Sequence, residues 1–104
     1  MPTITKTSLA NLLDVPRGTI DQLGYKQLFI INYPSYRLYF SYSTCIAIER
    51  TVGNYIYITT ERYSKTTTAH TNLLVKIAKT AKREVNFLDW FIFNDLYDSL
   101  AIHG

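Results

Sequence analysis

Alternation of apolar and polar side chains over residues 36–48 constrains the fold more than any other feature of this chain. The apolar even-numbered positions are Tyr36, Leu38, Phe40, Tyr42, Ile46 and Ile48. Thr44 is the single exception among the even positions. Because side chains alternate between the two faces of a strand, a period of two is typical of a strand with one buried face. We predict one long strand here, with its even-numbered face in the core.

A second strand is predicted to run back antiparallel to the long one, after a turn at residues 52–54. Its aliphatic residues Ile56 and Ile58 lie on one side. If the two strands share a buried face, Ile48 faces Ile58, and a three-residue loop gives this register. A two-residue loop would instead set Ile48 against Thr59, so we predict the three-residue loop.

A further strand is predicted over residues 27–33, before the long strand. With a loop at residues 34–35, Ile31 faces Leu38 and Phe29 faces Phe40, which extends the apolar face. Three or more strands then form an antiparallel meander.

Helices are predicted on both sides of these strands. Ser8 is expected to cap a short helix that Pro16 ends. Residues 66–83 have the helical period, and their apolar stripe consists of His70, Leu73, Leu74, Ile77 and Ala81. The opposite face carries Lys76, Lys79 and Arg83 and no acidic residue. This helix is therefore amphipathic, with an apolar stripe suited to the sheet.

The C-terminal stretch is predicted to form a last helix, which Asn86 caps with Asp89 three residues later. A strand over residues 85–93 is the alternative. Apolar side chains surround the segment on nearly all sides, and such a helix is either deeply buried or covered by a partner. We expect self-association through this segment, with Phe87, Trp90 and Phe91 as the candidate residues.

Composition is that of one folded domain spanning residues 1–104. Hydrophobic residues make up 47% of the chain and charged residues 18%, as in globular proteins. We predict an α+β fold: an antiparallel sheet packed against one amphipathic helix, with a C-terminal aromatic helix beside it. No apolar run exceeds four residues, so no transmembrane span is expected, and the single Cys45 has no disulfide partner. We expect a cytoplasmic protein.

Signals for catalysis are missing from the sequence. It has no glycine-rich phosphate loop, no paired cysteines, no Gly-x-Ser-x-Gly and no metal-binding histidine spacing. We therefore expect no catalytic residues, no metal and no cofactor. A small enzyme with scattered site residues is the last alternative.

The start of the amphipathic helix has two interpretations. Ser64 and Thr67 have the spacing of a helix cap. The same backbone N–H groups, the hydroxyls of Thr66 and Thr67 and the cation of Lys65 would also suit an anion or a partner group. His70 lies within the apolar stripe, so we predict that it faces the sheet and hydrogen-bonds a strand hydroxyl such as that of Thr44, Tyr42 or Thr60.

Two motifs resemble an uncharacterised family of small bacteriophage and plasmid proteins. They are Phe40-Ser41-Tyr42-Ser43-Thr44-Cys45-Ile46-Ala47 and Tyr63-Ser64-Lys65-Thr66-Thr67-Thr68-Ala69-His70. The family pattern is a Ser-aromatic-x-Thr-x-aliphatic-Ala strand, then a Tyr/Trp-Ser-x-Thr-Thr-x-x-His helix start, and the match covers residues 38–74. The resemblance implies a viral or mobile-element origin, and with it the cytoplasm of a bacterial host cell.

These observations predict a small non-catalytic binding protein that acts on host machinery or nucleic acid. Lys76, Lys79 and Arg83 are the candidate contacts for nucleic acid or an acidic partner, because their helix face carries no acid. A self-associating structural component, of a virion or an assembly, is the alternative.

Overall fold

A computed structural model describes residues 4–22, 27–51, 53–60 and 65–103, with the side chains of all of these except residues 17, 65–67 and 101–103. In chain order the elements are α1 (Lys6–Leu13), a 3₁₀ turn (Arg17–Thr19), β1 (Ile20–Gln22), β2 (Leu28–Asn32), β3 (Tyr36–Ser41), β4 (Thr44–Arg50), β5 (Tyr55–Thr59), α2 (Lys65–Thr80), β6 (Glu84–Leu88) and α3 (Trp90–His103). Within these ranges, six strands form one sheet in chain order. Strands β1 to β5 are antiparallel neighbours, which confirms the α+β class and the meander. Strand β6 is parallel to β5, which the sequence did not indicate.

The single long strand predicted over residues 36–48 is wrong, because the chain turns back at Tyr42 and Ser43. Ser41 pairs with Thr44 across this turn, and Tyr42 adopts a φ of 56°. The register of β3 against β4 then shifts at a bulge, since Tyr39 pairs with Ala47 but Phe40 pairs with Cys45. The apparent period of two therefore runs through two different strands, and the bulge places the even-numbered Ile46 and Ile48 on opposite faces of the sheet.

Helices cover both faces of the sheet, and each face has its own core. On the first face α1 and α3 pack on Phe29, Ile31, Leu38, Phe40 and Ile48. On the second face Leu74 and Ala78 of α2 pack on Leu28, Tyr39, Ile46, Ala47, Ile56 and Ile58. The C-terminal helix therefore lies on the opposite face from α2, and its predicted position beside α2 is wrong.

Two-sided burial also explains the outcome of the predicted strand registers. Ile31 pairs with Leu38 and Phe29 with Phe40, as predicted. In contrast, Ile48 pairs with Tyr57, and the aliphatic Ile58 pairs with Ala47. Because both faces are buried, Ile48 and Ile58 do not need to share one, so the predicted Ile48–Ile58 pair is wrong. The loop predicted at residues 52–54 includes residue 52, which lies outside the described residues.

Helix α2 ends three residues before the predicted position. Lys82 takes a left-handed conformation with a φ of 57°. The N–H of Arg83 then donates to the carbonyl of Ala78 at 2.8 Å, which closes the helix in the manner of a Schellman motif. Arg83 is therefore not part of the helix face on which the sequence placed it.

The caps of the other two helices each lie three residues away from the predicted residue. Thr5, not Ser8, caps α1, and Ser8 forms the third-residue half of a capping box. Asn86 lies within β6, while Oδ1 of Asp89 accepts from the N–H of Ile92 at 3.0 Å and caps α3. Residues 85–93 thus combine both alternatives, a strand followed by a helix. Within the described residues, no helix is long and apolar enough to cross a membrane.

Candidate functional site

His70 is part of the core between α2 and the sheet. It is 1% exposed, and its Nδ1 shares a hydrogen bond of 2.7 Å with Oγ of Ser41 on β3. The predicted burial of His70 against a strand hydroxyl is confirmed, although the partner is Ser41 rather than Thr44, Tyr42 or Thr60. A buried polar side chain needs such a partner, so this bond fixes where α2 crosses the sheet.

A cleft of about 290 Å³ opens between the first half of α2 and the carboxyl ends of the parallel strands β5 and β6. Its lining residues are Thr59, Thr60, Thr68, Thr71, Asn72, Val75 and Phe87. Five of the seven lining residues carry a hydroxyl or amide group, and none of the seven side chains is charged. Carboxyl ends of parallel strands are a common place for ligands in α/β proteins. The cleft therefore offers uncharged hydrogen-bonding groups at a place where ligands commonly bind.

The predicted anion site lies next to this cleft in sequence. Ser64 is outside the described residues, so its predicted capping role stays a prediction. Lys65, Thr66 and Thr67 form the first turn of α2, and their side chains are likewise outside the description. The anion site therefore stays a prediction, with His70 turned into the core.

Arg83 does not belong to a free cationic surface. Its Nε lies 3.1 Å from Oε2 of Glu49, whose side chain is 6% exposed. The other carboxylate oxygen of Glu49 accepts from Arg37 at 3.0 Å and from the hydroxyl of Tyr39 at 3.1 Å. Glu49 is thus a buried carboxylate held by two arginines and a tyrosine. Burial and the neighbouring Glu49 carboxylate raise the pKa of Tyr39 to about 12.

Lys76 and Lys79 are exposed on α2, as the sequence predicted. Lys76 lies at the rim of a shallow, mainly apolar hollow of about 380 Å³. The other lining residues of this hollow are Leu73, Ile77, Thr80 and Ala81. Ile77 is 42% exposed, so the predicted apolar stripe is buried at His70 and Leu74 but open at Ile77 and Ala81. This face of α2 is a mixed apolar and basic surface rather than a purely cationic one.

Four large apolar side chains near the start of α3 are exposed to solvent. Phe87 is 55% exposed, Trp90 45%, Phe91 74% and Ile92 54%. The rings of Trp90 and Phe91 meet edge to face with their centroids 5.0 Å apart. We call this set the aromatic edge, because Phe87 belongs to β6, the last strand of the sheet. It includes all three residues predicted for self-association, and it adds Ile92.

Sequence reasoning located the apolar side chains of this surface but missed the strand edge beneath them. The signal that could have identified this strand edge is the pattern of residues 84–88, where Val85 and Phe87 alternate with the polar Glu84 and Asn86. Asp89 then caps the next helix. The buried Glu49 was also missed, since a single acidic residue in a strand pattern gives no indication of its partners.

Together, the fold and its surfaces define a small α+β protein with a sheet covered on both faces and an exposed aromatic surface at one sheet edge. The chain belongs to a family of unknown function, DUF8033, whose model matches residues 12–89. This range includes the motifs at residues 38–74 that resemble an uncharacterised family. Comparisons with curated proteins and with solved structures give no match.

Proposed function

We propose that this protein is a non-catalytic binding protein of phage or mobile-element origin that docks a host protein on the aromatic edge. The observation that carries the proposal is the exposure of Phe87, Trp90, Phe91 and Ile92 within six residues of chain. Large exposed apolar patches mark interaction sites, and aromatic residues supply much of the binding energy at protein interfaces.

Charge favours a protein over nucleic acid as the partner of this surface. Residues 84–104 contain four acidic residues and no Lys or Arg. Glu84 and Asp89 are exposed beside the aromatic edge, where they would repel phosphates. On the basic side of the molecule, Arg83 is paired with Glu49, which leaves Lys76 and Lys79 for a nucleic-acid contact. Nucleic-acid binding is therefore the weaker form of the proposal.

The non-catalytic character rests on the environment of the two residues best suited to nucleophilic or acid–base chemistry. Cys45 is buried, and burial raises the pKa of its thiol. His70 is 1% exposed and bonded to Ser41. The phage or mobile-element origin, with a place in the cytoplasm of a bacterial host cell, rests on the resemblance of the motifs at residues 38–74.

A capture experiment with matched variants tests this function. Tagged wild-type protein, Phe91→Glu and Leu12→Glu are incubated with bacterial lysate, with and without nuclease. Leu12 is the matched control, because it is 67% exposed but lies on α1. We expect a stoichiometric host protein to be retained by the wild type and by Leu12→Glu, to be lost with Phe91→Glu, and to be insensitive to nuclease.

Two results would contradict the proposal. Retention of the same host protein by Phe91→Glu would remove the aromatic edge as the docking surface. Loss of the captured protein after nuclease treatment would indicate bridging by nucleic acid and would favour Lys76 and Lys79 instead.

Self-association is the second candidate, and a separate observation favours it. Among the described residues, β6 has a neighbour on one side only, so one edge of the sheet is open beside Phe87. An open edge offers backbone groups to a strand of another molecule.

A further inference from the structure

The open edge of β6 presents the backbone groups of two particular residues. On the inner side, the N–H of Glu84 donates to Asn54 at 3.1 Å, and the carbonyl of Leu88 accepts from Thr60 at 2.9 Å. Backbone groups of successive residues in a strand point to opposite sides. The even-numbered residues of β6 therefore bond to β5, while the N–H and C=O groups of Val85 and Phe87 point outward.

In the described part of the chain, this edge has few of the features that usually prevent pairing. Natural edges are protected by short strands, charged or proline residues, or bulges. The opposite edge of the described sheet follows that rule, since β1 has three residues and carries Asp21. Strand β6 has five residues without proline or lysine, its one charged residue, Glu84, lies at its first position, and all five residues pair in register with β5. Its regular geometry makes β6 a template for another strand.

We propose that β6 pairs antiparallel with β6 of a second copy of this chain, about a twofold axis at Asn86. The sheet would then continue through both molecules. This inference rests on self-association, the second candidate function above, and assigns it a strand and a register.

The outward backbone groups and the side chains together select this register. With Asn86 on the axis, Val85 lies opposite Phe87 of the second copy, and each such pair exchanges two hydrogen bonds. Both side chains lie on the α2 face, so the exposed ring of Phe87 packs on an aliphatic neighbour. An axis at Phe87 would set Val85 against Asp89, and an axis at Val85 would set Phe87 against Arg83. Each of these registers places Val85 or Phe87 opposite a charge, whereas the axis at Asn86 pairs these two residues with each other and leaves only Glu84, at the end of the strand, opposite the apolar Leu88.

Charges flanking β6 favour the same antiparallel arrangement. Lys82 and Arg83 precede the strand, and Asp89 follows it. With Asn86 on the axis, Asp89 of the second copy lies opposite Arg83, whose guanidinium already pairs with Glu49, and Lys82 comes opposite Trp90. A parallel arrangement would place like charges together. A second copy in this antiparallel register therefore complements the edge in hydrogen bonding and apolar contact and keeps like charges apart.

Disulfide trapping tests the register directly. In an antiparallel ladder the residue on the axis faces its own copy with a Cα separation of about 4.5 Å for a pair without hydrogen bonds. This spacing lies within the range of a disulfide. We therefore expect Asn86→Cys to form a reducible covalent dimer under mild oxidation. Phe87→Cys is the matched control, because its two copies would be diagonal neighbours about 7–8 Å apart. The native Cys45 is buried and should not react.

Sedimentation of the wild type at high micromolar concentration accompanies the trapping, and a dimer is expected. A wild-type monomer, with Asn86→Cys cross-linking no faster than Phe87→Cys, would overturn strand pairing. Equal and rapid cross-linking of both variants in a wild-type dimer would overturn the proposed register. Neither result bears on the docking of a host protein, which is tested through Phe91 on α3, outside β6.

Discussion

Glu49 illustrates how single residues in this protein acquire partners from distant parts of the chain. Its carboxylate lies on β4, while Arg37 comes from β3 and Arg83 from the segment after α2. The Arg37 side chain is 43% exposed, so its ion pair is screened by water, whereas Arg83 is 25% exposed. The ion pair with Arg83 is therefore less screened than the pair with Arg37. Because Arg83 follows α2, this pair holds the end of α2 against the sheet.

Tyr39 gives this cluster a measurable dependence on pH. Its pKa is raised from 10.0 to about 12 in the folded protein, first by burial and then by Glu49. The stabilising contribution of the protonated phenol is thus complete below pH 10 and is lost as the pH rises through 12. We predict that the free energy of unfolding falls over this interval, and that Tyr39→Phe makes the fall shallower. Urea titrations at several pH values measure both; identical slopes for the two proteins would contradict this assignment.

Residues in the core were partly predictable and residues in ion pairs were not. The apolar stripe indicated that His70 faces the sheet, because its place in the helical period is local information. Its partner Ser41 was not identified, since the turn at Tyr42 decides which strand hydroxyl approaches α2. Arg83 was assigned to a free cationic face for a related reason. Its acidic partner comes from β4, where helical spacing gives no information.

At the scale of elements, the sequence predicted strands and helices well where their turns carry recognisable residues. The β2–β3 hairpin turns at Pro34, and its register was predicted correctly. The β3–β4 hairpin turns at Tyr42 and Ser43. Because neither is a Gly, Asn, Asp or Pro, nothing in the sequence indicated a turn there. Beyond the turn, the bulge at Ile46 places Ile46 and Ile48 on opposite faces, so the even-numbered period did not mark a single buried face. Strand β1 has three residues, too few for a detectable period.

Asp89 separates β6 from α3, and it yields a prediction at this scale. Its carboxylate satisfies a free N–H group in the first turn of α3. We expect Asp89→Ala to lower the free energy of unfolding by about 1 kcal/mol, the usual cost of losing a cap. Asp95→Ala is the control, because Asp95 is an exposed acid on the same helix. Chemical denaturation measures the difference; an equal effect of the two changes would remove Asp89 as the cap.

For the whole molecule, helices cover both faces of the sheet, and four large apolar side chains stay exposed near its β6 edge. Helix α2 buries one face, and α1 and α3 bury the other. The α+β class, the meander and the C-terminal helix followed from sequence periodicity. The two-sided core did not, because the alternation suggested one buried face. The residues of the aromatic edge belong to neither core and stay exposed. Both the proposed docking and the proposed strand pairing use this surface.

Amide hydrogen exchange of Val85 and Phe87, followed by NMR as protein concentration rises, tests the central claim that the β6 edge is an interaction surface. The outward N–H groups of these two residues should exchange rapidly in dilute protein and slowly in concentrated protein, where a second copy accepts their hydrogen bonds. The amide of Asp21, on the opposite edge strand, serves as the reference and should not change. Rapid exchange of Val85 and Phe87 at every concentration would contradict the account.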